Sequence, residues 1–283
     1  MRFAITASDT SYSVFNAFLK AGWEPVKLFV FSTQGSLDSN HKVIELAESR
    51  KISVQLSRMT QVDLRELAER ECEVLIVANY QWRIGNWRPY LKHAVNFHPS
   101  PLPEARGPYP LPRAILENRK SWAVTCHRVD PEFDTGDILA AETFQLEDNE
   151  CHESMSLKTQ MASGRLAERI AGNFNELWNQ AQPQGSGSYW PKLTQKELTI
   201  NFFDPVDVIM RQVRALGLLE CLAMINGVLI CTRRAVGWTE AHSQTPGTVV
   251  HVGNKSIVVA AQNGFIGIID WNVVSAEPAK GGI

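Results

Sequence analysis

The 283-residue sequence lacks the features that mark membrane-spanning, secreted or generally nucleic-acid-binding proteins. No apolar run approaches the roughly 18 residues that a membrane helix needs, and the N-terminal run at residues 3–7 is too short for a signal peptide. Lys and Arg number 28 against 30 Asp and Glu, so the net charge of −2 provides no overall attraction to nucleic acid or anionic lipid. These absences predict a soluble, cytoplasmic protein.

Metal-binding and phosphate-binding signatures are also missing. The five cysteines include no C-x-x-C pair, which indicates reduced thiols rather than a disulfide or zinc framework. Cys126 and His127, like Cys151 and His152, have no companions at metal-ligand spacing, so no metal is predicted. Residues 6–12 contain no glycine, which excludes a dinucleotide fingerprint or a phosphate loop there.

Short apolar runs alternate with helical patterns over the first half of the chain. This alternation predicts a doubly wound α/β domain with a mostly parallel sheet. The expected strands are residues 3–6, 26–31, 74–78 and 94–97, and the expected helices are residues 12–21, 41–50 and 62–71. Ligands of such domains bind outside the carboxyl ends of the strands, so polar residues that follow a strand are the first candidates for function.

The pattern then predicts two further strands at residues 122–129 and 138–144, a long helix at 153–178, and a change of composition. Residues 180–188 are rich in Gln, Gly and Ser and carry no charge, so we expect a linker with few contacts. Beyond a helix at 206–216, closely spaced turn signals predict a small β-barrel-like domain. The predicted organisation is therefore an α/β domain at 1–180, a linker at 181–200 and a C-terminal domain at 201–283.

The densest group of unusual residues follows the fourth predicted strand. Asn96 and His98 alternate out of this strand and project to one side of it, and three prolines then stiffen the loop. Asp134 lies in another predicted loop, within the sequence DTGD. An amide, an imidazole and a carboxylate that converge at one sheet edge form a set suited to acyl transfer. A hydrogen-bonded structural histidine and a solvated turn carboxylate are the alternative interpretations.

These segments resemble the 10-formyltetrahydrofolate-dependent formyltransferases. The resemblance rests on residues 96–103 (NFHPSPLP), on Arg106 and Gly107, and on residues 134–137 (DTGD), which occur in the family's order and at similar spacing. Residues 189–193 (YWPKL) and the segment that follows are similar to the linker and C-terminal domain of the methionyl-tRNA formyltransferase branch. Pro101 departs from the leucine that is common in the family and should stiffen the loop.

By this resemblance, Asn96, His98 and Asp134 are the catalytic residues. Asn96 would donate to the developing oxyanion, His98 would act as a base or as a second donor, and Asp134 would orient the imidazole. The family also implies 10-formyltetrahydrofolate as co-substrate, held by the loops at 78–85 and 129–135, and an acceptor site at Arg106 and Gly107. The residues expected to bind the folate are Asn79, Tyr80, Gln81, Ser100, Leu102, Asp130, Phe133 and Thr135. Tyr80, Trp82 and Trp87 could line the cleft or belong to the core.

The acceptor is not defined by these motifs. Members of the family that act on tRNA carry a basic insertion after the second strand, whereas residues 31–50 hold two basic against three acidic side chains. Because RNA recognition depends on neutralising phosphates, we expect a small amine, such as an amino-sugar nucleotide, as the substrate and tRNA less readily. Methionyl-tRNA, a hydroxylated amino acid, hydrolysis of formyltetrahydrofolate and an inactive folate-binding protein remain alternatives. The sequence defines no oligomeric state.

Overall fold

The computed structural model describes residues 1–31 and 39–274. These residues form two compact units. The first contains Met1–Pro110, Lys120–Leu146 and Ser156–Pro191, and the second contains Leu111–Arg119, Glu147–Met155 and the chain from Lys192 onward. Within the described residues, no helix is long and apolar enough to cross a bilayer.

The first unit is built on a seven-stranded sheet. Its strands are β1 (Arg2–Thr6), β2 (Glu24–Phe29), β3 (Ser53–Gln55), β4 (Val74–Val77), β5 (His93–His98), β6 (Ser121–Arg128) and β7 (Ile138–Gln145). The order across the sheet is β3-β2-β1-β4-β5-β6-β7. The first five strands are parallel, while β6 and β7 are antiparallel to their neighbours. The direction of winding reverses between β1 and β4, which is where doubly wound folds place their ligands.

Helices connect the strands and bury the apolar residues of the sheet. They are α1 (Tyr12–Lys20), α2 (His41–Ser49), α3 (Gln61–Glu69) and α5 (His152–Asn179). The first four residues of α5 and, from Leu111 on, the helix α4 (Pro110–Leu116) belong to the second unit. The larger core cluster joins Phe3, Phe15 and Phe18 to Trp23 and Phe174, with ring centroids 4.8 to 6.2 Å apart along this chain of contacts. Buried strand faces of this kind explain the nearly continuous apolar runs of the sequence.

Lys27 interrupts one of those apolar runs, and the structure gives the reason. Its ammonium lies 2.8 Å from Glu66 Oε2 and 3.4 Å from Asp63 Oδ1, both on α3. The hydrogen bond from Lys27 lowers the pKa of Glu66, against the smaller effect of burial. A buried cation is tolerated here because two carboxylates face it.

The second unit contains a five-stranded antiparallel sheet. Two helices, α6 (Gln195–Leu198) and α7 (Val206–Leu216), precede its strands β8 (Leu222–Ile225), β9 (Val228–Thr239), β10 (Val249–Val252), β11 (Ile257–Ala261) and β12 (Gly264–Val273). The order is β10-β11-β12-β9-β8, and register shifts within β9–β12 bend the sheet into a half-barrel. The apolar face of α7, including Val206, Ile209 and Val213, is buried.

The predicted fold class, a mostly parallel α/β sheet followed by a β-rich barrel-like unit, is confirmed. One strand was not predicted, and one expectation is wrong. The short edge strand β3 was not predicted, because its three half-buried or exposed residues carry no continuous apolar pattern. Residues 180–188 are not a segment with few contacts. Gln182 exchanges two backbone hydrogen bonds with Ile138 of β7. In addition, the side chains of Gln184 and Ser188 form hydrogen bonds with loops of the first unit. The count of basic and acidic side chains in residues 31–50 includes residues 32–38, which lie outside the described residues.

Candidate active site

The carboxyl end of β5 supplies two of the predicted catalytic side chains. Asn96 and His98 project from the same face of the strand, while Phe97 between them enters the hydrophobic core. Asn96 Nδ2 lies 3.4 Å from Asp134 Oδ1, and His98 Nδ1 lies 3.4 Å from the same oxygen. The structure therefore brings together the amide, the imidazole and the carboxylate that the sequence analysis selected.

Asp134 is held firmly in the loop between β6 and β7. It has a left-handed backbone (φ +58°), which is uncommon for a residue other than glycine and persists only where the surroundings hold it. Its side chain is 10% exposed. The loop passes so close to Arg128 that a Cβ on Gly136 would lie 2.0 Å from the Arg128 carbonyl oxygen, so only glycine fits at that position.

Gly107 provides the strongest contact to this carboxylate. Its backbone N–H donates to Asp134 Oδ2 at 3.0 Å, opposite the oxygen that faces Asn96 and His98. Gly107 has φ +114°, and a Cβ there would lie 2.4 Å from the carbonyl oxygen of Trp190. The glycine thus serves the site through its backbone.

Both ring nitrogens of His98 face oxygen atoms. Nε2 lies 3.1 Å from the carbonyl oxygen of Ala105, which can only accept a hydrogen bond, so Nε2 carries a hydrogen. Nδ1 faces Asp134 and is the nitrogen that can gain or lose a proton during a reaction. The His98 side chain is only 7% exposed, so Nδ1 is largely shielded from bulk water.

His127 joins the site and was not predicted as part of it. It lies on β6 directly opposite Asn96 in the antiparallel register, with its Nε2 3.1 Å from Asn96 Nδ2. Burial, and then the neighbouring His98, lower its pKa to about 4, so the ring is neutral at physiological pH. The sequence showed only a lone histidine in a β-rich run, because strand register cannot be read from such a run.

Gln184 is a second residue that sequence reasoning missed. Its Nε2 donates to the carbonyl oxygens of Asp134 (3.0 Å) and Gly136 (2.7 Å), and its Oε1 accepts from Arg106 Nε (3.1 Å) and Nη2 (2.8 Å). One amide therefore connects the two loops that carry Asp134 and Gly107. The guanidinium of Arg106, predicted to bind the acceptor, is occupied by Gln184 and the carbonyl of Gly185.

The residues predicted to bind folate after β4 lie at the winding reversal. Asn79 has φ +61° and donates to Ser8 Oγ at 2.7 Å, which ties the end of β4 to the end of β1. The hydroxyl of Tyr80 accepts from the backbone N–H of Met59, and its ring packs edge-on against Trp82, with centroids 5.2 Å apart. Gln81 is exposed. Trp87 is buried and donates to the Val129 carbonyl, so it belongs to the core.

The predicted folate residues of the β6–β7 loop form an exposed rim. The ring of Phe133 is 53% exposed and lies beneath the guanidinium of Arg83. Asp130 accepts from Arg88, and Thr135 Oγ1 donates to the Glu132 carbonyl. An exposed aromatic ring beside hydrogen-bonding groups is typical of a surface that receives a flat heterocycle.

Ser100 and Leu102 do not join the other predicted residues. Ser100 is fully buried, and its hydroxyl donates to the Glu104 carbonyl at 2.9 Å. Leu102 is 7% exposed, and its backbone N–H donates to Thr125 Oγ1. The backbone of the proline-rich loop is fastened to β6 through Thr125, whose hydroxyl accepts from the Leu102 N–H and donates to the Ser100 carbonyl. In the described part of the chain, no three His, Cys, Asp or Glu side chains are grouped as a metal site.

The sequence is similar to known protein families and to individual proteins of those families. The profile of the Formyl transferase family matches residues 9–169, and that of the Formyl transferase C-terminal domain matches residues 192–277. The methionyl-tRNA formyltransferase of Orientia tsutsugamushi is 28% identical over 206 residues, 72% of this chain and 67% of that protein. That of Rickettsia bellii is 30% identical over 61% of this chain. The matched part spans only 56 to 67% of these relatives' length.

Solved structures share the fold over nearly the whole chain. HypX from Aquifex aeolicus in complex with tetrahydrofolic acid superimposes with a TM-score of 0.70 and 20% identity, covering 97% of this chain and 44% of that one. The N-formyltransferase from Helicobacter canadensis, in complex with folinic acid and dTDP-3-aminofucose, gives a TM-score of 0.69 and 17% identity, covering 96% and 99% of the two chains. The family profiles together span most of the sequence, in the order of the two structural units. The chain therefore belongs to the formyl transferase family.

Proposed function

We propose that this protein transfers a formyl group from 10-formyltetrahydrofolate to a primary amine. The observation that carries the proposal is the convergence of Asn96, His98 and Gly107 on the Asp134 carboxylate at the end of β5. Family membership supports the reaction class. Two solved structures of the same fold were obtained with tetrahydrofolic acid or folinic acid, which supports folate as the formyl donor.

The residues present can meet the charge changes of this reaction. The amine nitrogen bonds to the formyl carbon, the carbonyl oxygen becomes an oxyanion, and the amine nitrogen becomes positive. The Asn96 amide can donate to that oxyanion. His98 Nδ1 accepts the proton lost by the amine, with Asp134 stabilising the resulting imidazolium. When the bond between the formyl carbon and folate N10 breaks, the same proton passes to N10, which completes the transfer.

We propose a small amine, such as an amino-sugar nucleotide, as the acceptor. Support comes from the excess of acidic residues in the segment 31–50 and from the arginines of the site loops. Each of these arginines is paired within the first unit, Arg83 with Glu132, Arg88 with Asp130, Arg106 with Gln184 and Arg128 with Asp137. Three of these four positive charges are therefore offset by a neighbouring carboxylate, which lowers the net positive charge offered to RNA phosphates. The likeness to the Helicobacter canadensis structure, which was obtained with dTDP-3-aminofucose, also supports this acceptor.

Methionyl-tRNA is the second candidate acceptor. It is favoured by the relatives of 28% and 30% identity, both of which are methionyl-tRNA formyltransferases.

The deciding experiment follows tetrahydrofolate release and formylated product by mass. The purified protein is incubated with 10-formyltetrahydrofolate in buffer alone, with charged initiator tRNA, with amino-sugar nucleotides and with hydroxylated amino acids. Release that depends on an amine supports the transferase, and the amine that is consumed identifies the acceptor. Release in buffer alone would replace the proposal with hydrolysis, and absence of release in every arm would contradict it. A His98→Ala variant in each arm controls for contaminating activity.

A further inference from the structure

His127 lies against the proposed oxyanion donor Asn96, and its Nε2 is also 3.7 Å from Asp134 Oδ1. It is fully buried behind Asn96, and its two nitrogens have different partners. Nδ1 lies 2.7 Å from the carbonyl oxygen of Arg128, and Nε2 lies 3.1 Å from Asn96 Nδ2. A carbonyl oxygen accepts only, so Nδ1 carries the hydrogen and Nε2 presents a lone pair.

This tautomer determines how the Asn96 amide is turned. An acceptor at His127 Nε2 requires the NH2 group of Asn96, and not its oxygen, to face β6. The second hydrogen of that group then faces Asp134 Oδ1, which lies 3.4 Å from Nδ2. This distance is long for a hydrogen bond, so the hydrogen stays available to an oxyanion that develops on that side. The reverse amide orientation would place Asn96 Oδ1 against both the His127 lone pair and the Asp134 carboxylate.

We propose that His127 is a positioning residue: as a neutral imidazole it accepts one hydrogen of the Asn96 amide and so holds the other on the Asp134 side of the site, for donation to the oxyanion. The role rests on the proposed formyl transfer. The two histidines of the site then have separate tasks, since His98 exchanges the proton and His127 stays uncharged. The groups facing His127 are His98, Asp134, Asp130 and the Arg128 carbonyl, and burial together with His98 outweighs the two carboxylates.

A mutant cycle tests whether His127 acts through Asn96. His127→Leu removes the acceptor and is expected to lower kcat about tenfold or more, with KM for 10-formyltetrahydrofolate unchanged. His127→Gln, whose Oε1 can accept, should recover part of the loss. In an Asn96→Ala background, His127→Leu should change kcat less than about twofold, because the amide that it positions is already gone. Equal losses in both backgrounds, or no loss in the single variant, would overturn the assignment.

A matched control is available on the same strand. Cys126 is the neighbour of His127, is fully buried, and belongs to the hydrophobic core on the opposite face of β6. Cys126→Ala perturbs the packing of β6 without touching Asn96, so its kcat should remain near that of the wild type. A loss of kcat in Cys126→Ala as large as in His127→Leu would show that any disturbance of β6 has this effect, and would overturn the specific role.

A measurement on the unmodified protein separates this inference from the proposed function. Nitrogen NMR of histidine-labelled protein at pH 7 should show His127 neutral, with the hydrogen on Nδ1. A charged ring, or the hydrogen on Nε2, would overturn the positioning role even if the protein is an active formyltransferase. Absence of turnover with every acceptor would instead defeat the proposed function, and the ring spectrum would still decide the state of His127.

Discussion

The side-chain amide of Gln184 donates to the main-chain carbonyl of Asp134 at 3.0 Å. Asp134 has a left-handed backbone, and Gln184 also binds the carbonyl of Gly136, so this one side chain braces the strained turn that presents the carboxylate. The segment after α5 is therefore part of the proposed site. Its sequence, with no charge and no bulky apolar group, shows no sign of this role.

We predict that Gln184→Ala weakens both stability and turnover. Two hydrogen bonds to the loop and two from Arg106 are lost, which should cost about 2 kcal/mol of unfolding free energy. The rate should fall about tenfold, because Asp134 and Gly107 lose the connection between their loops. Urea unfolding and the tetrahydrofolate-release assay measure the two effects. Gln182→Ala is the matched control, since that side chain is exposed and donates only to the nearby Gln180 carbonyl. A similar loss in both variants would contradict the bracing role.

The proposed catalytic residues give a second prediction. Asn96→Ala and His98→Ala should each keep the fold and lose about a hundredfold or more in kcat, because each removes a group that acts on the developing charges. His93→Ala is a suitable control, since His93 begins the same strand and its ring packs against Phe174 and Trp178. Activity near that of the wild type in both catalytic variants would eliminate the proposed mechanism.

Gly107 tests whether backbone geometry is required at the site. Gly107→Ala should destabilise the protein by about 2 kcal/mol or more, since φ +114° is unfavourable for alanine and the new Cβ would lie 2.4 Å from the Trp190 carbonyl oxygen. Displacement of its N–H from Asp134 should also lower kcat. Gly185→Ala, where a Cβ meets nothing within 4 Å, should be close to neutral. The melting temperatures of the two variants are compared by thermal unfolding. Equal melting temperatures would contradict the predicted role of the Gly107 backbone.

The lowered pKa of His127 makes stability depend on pH in a defined window. An exposed histidine has a pKa of 6.5, whereas that of His127 is lowered to about 4, so between these values the unfolded chain binds a proton that the folded chain does not. Stability should be complete above pH 6.5 and decline as the pH falls towards 4, by on the order of 2 to 3 kcal/mol. Burial lowers the pKa values of His93 and His152 and adds to the same trend. Urea midpoints between pH 7 and 4.5 should decline less steeply in His127→Gln. An unchanged slope would contradict the predicted contribution.

Local sequence patterns were sufficient for much of the fold. The apolar runs and helical spacings identified β1, β2, β4 and β5 with their connecting helices to within a few residues, because buried parallel strands and amphipathic helices each impose a period on the chain. The predicted helix at 206–216 coincides with α7. The strand β3 was not predicted because a three-residue edge strand buries too few side chains to produce an apolar pattern in the sequence.

Part of the site could also be predicted from local sequence patterns. Asn96 and His98 could be paired from the sequence, since alternate residues of a strand share a face, and the Asp134 loop was recognisable from its motif. Ser100 and Leu102 lie in the same motif yet point inwards, because the direction of a side chain in a proline-rich loop depends on what the loop packs against.

The amino-acid sequence by itself determined the family, the order of the elements and the residues that can carry charge or donate hydrogen bonds. Tertiary structure alone decided which of them meet. His127 faces Asn96 because β6 runs antiparallel in one register, and Gln184 reaches Asp134 because its segment returns along β7 across about fifty residues of chain. Both contacts join positions far apart in sequence, and such contacts arise from packing of the whole unit, which no local pattern of residues records.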